Sequence, residues 1–189
     1  MQRAIIYGVV ALSLTLACTK NLDFAPKDSC QKLKGQIALH ESQQVLVTKI
    51  ADGDTFTGCI MPDLAGSVRV RVLGIDCPES HENAKCKREG KSGGLSCAEQ
   101  IPKGRAATAV AREMILGNTV VLESPKANGE FERDTFGRIL AYVRTSKNDD
   151  FGKRMIKEGL CDNYDWKYPH PRGVEYGQNI RRMGWAKPR

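Results

Sequence analysis

VLVTKIADGDTFTGCI, residues 45–60, decides how the chain begins to fold. Val45, Val47 and Lys49 alternate with Leu46, Thr48 and Ile50, which is the two-residue period of a strand. The Asp52-Gly53 pair that follows is a hairpin signal, so Thr55 to Ile60 is expected to return as a second strand. Outward from this hairpin, SVRVRVLGI (Ser67 to Ile75) puts Val68, Val70 and Val72 on one face and Arg69 and Arg71 on the other. Pro78 ends that strand, because proline cannot donate to a ladder. Residues 80–104, with Cys86, Cys97, Gly90, Gly93 and Gly94, read as a long loop in need of a staple. RAATAVAREMIL (Arg105 to Leu116) shows helical spacing at Ala106, Ala109, Val110 and Met114 and is stopped by Gly117-Asn118. Thr119 to Glu123 and Ile139 to Val143 read as strands, with an Asn128-Gly129 turn between them. Asp149 to Glu158 reads as a helix closed by Gly159, and a last short helix is expected around Tyr176 to Met183. Five short strands, one inserted helix and helices at the end suggest an α+β domain, a small barrel with packed helices.

The chain's 189 residues suffice for one domain with a tail. Hydrophobic residues at 41% and charged residues at 27% exclude a collagen-like, low-complexity or disordered chain. The net charge of +7 favours an acidic partner such as nucleic acid or a membrane surface. AIIYGVVALSLTLA (Ala4 to Ala17) is an apolar run behind Arg3, too short to cross a hydrocarbon core roughly 30 Å thick. It reads as a secretory signal over residues 1–17, followed by a polar tether over residues 18–43 and the folded domain over residues 44–189. Thr15-Leu16-Ala17 before Cys18 fits simple cleavage and also resembles a bacterial lipoprotein signal, although leucine usually stands where Thr15 does. Two outcomes therefore stand: soluble release, or a lipid anchor on Cys18.

Seven cysteines point to an oxidising compartment, and an acylated Cys18 would leave six to pair. Cys77, His81, Cys86 and Cys97 can be written as a zinc site, but the irregular spacing and exported setting favour disulfides. Cys86 with Cys97 closes the glycine-rich loop locally; Cys30–Cys59 and Cys77–Cys161 follow by elimination.

Three segments carry chemistry together: Asp52-Gly53-Asp54-Thr55, Arg71 followed by Asp76-Cys77-Pro78-Glu79, and Asp134-Thr135-Phe136-Gly137-Arg138. Each alone is an ordinary turn or strand end. In combination they supply carboxylates for a hard divalent cation, another carboxylate for water, and two arginines for the charge that builds on a phosphorane. Their order and spacing, DGDT, then R-x4-D-x-P-E, then D-x2-G-R, resemble the staphylococcal nuclease (thermonuclease) family from about Val45 to Leu160, and less closely along the tail.

That resemblance implies an OB-type five-stranded barrel with three helices, and calcium-dependent cleavage of DNA and RNA. It assigns Asp54, Asp76 and the backbone carbonyl of Cys77 to Ca2+, where the family has threonine at the third position. It assigns Glu79 to the attacking water, as base or as water-positioner, and Arg71 and Arg138 to the scissile phosphate, for which planar, permanently charged guanidinium is suited. Thr135 and Phe136 replace a lysine and a tyrosine of the family's prototype. Lys85 is a candidate for reaching a phosphate from the loop. Tyr164, Trp166 and Tyr168 can stack on bases or plug the barrel end. The resemblance implies no protein partner, and a monomer in the cell envelope or outside the cell is expected. A noncatalytic OB-fold nucleic-acid-binding protein is the alternative; such modules lose the carboxylates and arginines that this chain keeps.

Overall fold

A computed structural model describes residues 30, 42–64 and 66–164. The expected signal peptide, Cys18, most of the expected tether and the tail with Trp166, Tyr168 and the expected last helix lie outside the described residues. The elements run β1 (Ser42–Asp52), β2 (Thr55–Ile60), β3 (Ser67–Val72), β4 (Gly74–Asp76), α1 (Ala84–Lys91), α2 (Cys97–Ile115), β5 (Thr119–Glu123), β6 (Glu132–Arg133), β7 (Ile139–Arg144), α3 (Phe151–Lys157) and β8 (Asp162–Tyr164).

Strands β3, β2, β1, β5 and β7 form one sheet in that spatial order, and β3 pairs with β7 in parallel, so the five strands close into a barrel. With three helices around it, this is the α+β, OB-type architecture. The short β6 extends β7, and β4 pairs with β8 in a separate two-stranded sheet. Val68, Val70 and Val72 line the interior, as their alternation implies.

Strand β1 departs from strict alternation. Its register against β2 shifts between Val47 and Lys49, a bulge that leaves Thr48 over. The extra residue turns Ile50 inward beside Val45 and Val47 and leaves Lys49 in solvent, the reverse of the expected phase. The bend lets β1 serve two partners, β5 through Ser42–Leu46 and β2 through Val45–Asp52.

The expected strand from Ser67 to Ile75 is divided. Leu73 interrupts it, and Gly74 takes a φ of +81° that a residue with a Cβ rarely adopts. The expected loop over residues 80–104 instead holds a helix and the start of another. Asn83 caps α1, its side chain accepting from the Lys85 and Cys86 N–H groups. Ser96 and Glu99 form a capping box that starts α2 eight residues before the expected Arg105, and the helix runs on through Pro102. The buried face of α2 carries Gly104, Ala107 and Ala111, small residues that let the helix lie close, and ends in the larger Ile115.

Cys30–Cys59, Cys77–Cys161 and Cys86–Cys97 are disulfide-bonded, which removes every thiol of the zinc reading. Such bonds fit an oxidising compartment. Among the described residues no helix is long and apolar enough to cross a membrane. Cross-links act chiefly by restricting the unfolded chain, so their effect grows with the loop they close. Cys86 and Cys97 are 11 residues apart and Cys77 and Cys161 are 84 apart. Replacing the first pair by serine is expected to lower the unfolding free energy by about 3 kcal/mol, and the second by about 4.5 kcal/mol. Urea unfolding of the two double variants measures both; a larger loss for the short loop would contradict this ordering.

Candidate active site

Barrel closure assembles the site. Thr55, the first residue of β2, is paired with Arg71 of β3, and Val70 of β3 is paired with Ile139 of β7. Arg138 therefore enters beside β3 from a point 83 residues away from Thr55, and its Nη1 donates to Thr55 Oγ1 at 3.3 Å. The turn before it is fixed by Asp134, which accepts from the Phe136 and Arg138 N–H groups at 2.9 Å each and pairs with Arg138 Nε at 2.7 Å. Burial opposes ionisation of Asp134, yet the hydrogen bonds from Arg138 hold its pKa below the ordinary carboxylate value. Phe136 stands in solvent at the tip, with the Arg138 guanidinium 5.4 Å from its ring centroid.

Arg71 is the hub. One arm forms an ion pair with Asp54 Oδ2 and the other pairs with Asp76 Oδ1 at 2.9 Å. Asp54 is buried; its Oδ1 accepts from Thr55 Oγ1 at 3.1 Å and its Oδ2 from the Cys77 N–H at 2.9 Å. The structure thus brings Asp54, Arg71, Asp76 and the Cys77 main chain together, with Arg138 joined through Thr55.

Glu79 lies at the next step along the chain. Lys85, from the first turn of α1, places its Nζ 3.0 Å from Asp76 Oδ1 and 2.9 Å from Glu79 Oε1. Burial lowers the Lys85 pKa, but the carboxylates of Asp76 and Glu79 outweigh it and leave the pKa above the ordinary lysine value. The ammonium is thus engaged by two carboxylates of the site. Tyr164 ends β8 opposite Gly74 and is partly exposed.

Four residues join the site without having been singled out for it. Asp52, at the β1 end of the DGDT turn, has its pKa raised by burial against the opposing pull of Arg71, Arg138 and Lys85. Asp162 faces Asp76 in the β4–β8 pair; burial first, and Asp76 second, push its pKa up to about 6. A sequence signal existed for it, since a Cys77–Cys161 link between antiparallel strands puts residues 76 and 162 opposite each other. Asn83 donates to Glu79 Oε2 at 2.5 Å; asparagine is a favoured N-cap residue, but the segment around it reads as loop. Gln100, buried in α2, accepts from the Glu79 N–H at 3.3 Å and donates to Glu89 and to the Leu95 carbonyl. Nothing local in the sequence marks it.

The donors fit a hard cation. Asp54, Asp76 and the Cys77 main chain offer oxygen only, and the Cys77 sulfur is committed to Cys161. Among the described residues no three His, Cys, Asp or Glu side chains are grouped as a metal cage.

With this arrangement in view, comparison with known proteins is informative. The family model described as Staphylococcal nuclease homologue matches residues 69–183, more than half of the chain. The chain belongs to this family. The match begins after the Asp52–Thr55 turn, which geometry rather than the matched segment joins to the site. An Escherichia coli protein named "Uncharacterized endonuclease" is 25% identical over 119 residues, which cover 63% of this chain and 60% of that protein. The chain thus spans less than two thirds of that relative's length.

One close approach sets where Glu79 sits. A Cβ on Gly104 would fall against the Glu79 and Pro78 carbonyls, so only glycine lets α2 reach that backbone. An exposed helical Gly→Ala change commonly stabilises by about 1 kcal/mol; here Gly104→Ala is expected to destabilise by about 1–3 kcal/mol through overpacking. Urea unfolding checks the sign, and a stabilised variant would refute this seating.

Proposed function

We propose that this staphylococcal nuclease family member is a calcium-dependent, exported nuclease that hydrolyses phosphodiester bonds of DNA or RNA. The observation that carries the reading is the Arg71 guanidinium bridging Asp54 and Asp76, with Arg138 joined through Thr55 and Glu79 joined through Lys85. Two guanidinium groups, a carboxylate for water and two carboxylates for a cation lie on one rim of the barrel, and the family membership and the relative named an endonuclease agree with it.

In this reading Asp54, Asp76 and the Cys77 carbonyl hold Ca2+, which when bound polarises a phosphoryl oxygen and offsets charge. Glu79 accepts a hydrogen bond from the attacking water and takes its proton, or holds it in line. Arg71 and Arg138 donate to the non-bridging oxygens as they gain charge. The net positive chain charge collects the polyanion at low salt. The three disulfides support function in an oxidising compartment, reached through the apolar leader with Cys18 as a lipid anchor.

Purified protein with calcium is expected to cleave single- and double-stranded DNA, to stop on adding chelator and to resume when calcium is restored. Glu79→Gln should lower kcat by about 10²–10⁴, and Arg138→Ala by about 10²–10³. Absence of cleavage at every calcium concentration overturns the reading. Nucleic-acid binding retained without cleavage would instead select the noncatalytic binding module.

A further inference from the structure

Glu79 stands just beyond a strand end, where a carboxylate with three rotatable side-chain bonds ordinarily samples several rotamers. Here both of its oxygens are occupied. Lys85 Nζ takes Oε1 at 2.9 Å, and Asn83 Nδ2 takes Oε2 at 2.5 Å. The Asn83 contact has an unusually well-determined origin. Its Oδ1 accepts from the Lys85 N–H at 2.9 Å and the Cys86 N–H at 3.0 Å, the free donors at the start of α1. Those two N–H groups require the oxygen on their side, so the amide nitrogen must face Glu79. The ring is closed covalently, because Cys86 is bonded to Cys97, the first residue of α2.

We propose that Asn83 is the positioning residue of Glu79. Its side chain is shared between two tasks, capping α1 with its oxygen and clamping Glu79 Oε2 with its nitrogen. Oε1 is thereby the oxygen turned toward Asp76, as the shared Lys85 ammonium shows. The amide on Oε2 and the ammonium on Oε1 together fix the plane of the carboxylate, so losing the amide frees it to turn about the Lys85 contact. This rests on the nuclease reading, in which Glu79 handles the water. The inference concerns geometry: a displacement of about 1 Å in such a group can cost about 100-fold in rate.

Three substitutions separate the two tasks. Asn83→Ser keeps a good N-cap but is too short to reach Glu79. Asn83→Asp keeps the cap and sets an acceptor against the Glu79 carboxylate in place of a donor. Asn83→Ala loses both. Asn83→Ser is expected to melt close to the unsubstituted protein and to lose about 100-fold in kcat with little change in KM. Asn83→Asp is expected to lose at least as much. In a Glu79→Gln background Asn83→Ser should cost little more, because its effect passes through that carboxylate. A cap-only role predicts full kcat for the serine and aspartate variants and a loss only for alanine; that result overturns the proposal. So does an undiminished loss in the Glu79→Gln background. Failure of the unsubstituted protein to cleave in calcium is the separate outcome that removes the nuclease reading and this role with it.

Discussion

Parallel pairing of Val70–Val72 with Ile139–Ala141 is the constraint on which the rest of this structure depends. Without it the five strands would be an open sheet with two unsatisfied edges. With it the valines of β3 and the apolar run of β7 face one interior, and Arg71 and Arg138 emerge on the same rim. Site and core are therefore products of one closure. The arginines need not find each other as flexible side chains; the ladder has already placed their backbones.

That rim concentrates charge in a partly dry place. Asp54 and Arg71 have side-chain exposures of only 8% and 14%. A pair so enclosed gains less from its attraction than distance alone suggests, because both ions have left water. It is tolerable because Asp54 also accepts from Thr55 and from the Cys77 N–H. The pKa values of Asp52 and Asp162 are raised by the same burial, which for Asp52 works against the pull of Arg71, Arg138 and Lys85 and for Asp162 is joined by the charge of Asp76.

Much of this was legible in the sequence. The barrel strands declared themselves through two-residue alternation and turn residues, because those signals are local, and the three charged motifs stood out through their order and spacing and the family resemblance these carry. What escaped depended on longer relationships. The inward turn of Ile50 comes from a bulge, which shifts phase without changing composition. The early start of α2 was hidden because Pro102 and the glycines before it read as loop, whereas Ser96 and Glu99 capped a helix. Helix α1 rests on Asn83 and on a disulfide to α2. Gln100 was beyond reach because its task, holding the Glu79 backbone, exists only after α2 has docked.

The contact at Gly104 has a further meaning. It is main chain against main chain, helix α2 against the Pro78–Glu79 peptide, and such a contact has no rotamers to average over. The segment carrying Glu79 is thus referenced to the backbone of helix α2 as well as to its own neighbours in sequence, Asn83 and Lys85. What the missing methyl group secures is a tolerance, in the engineer's sense, for the placement of a single carboxylate.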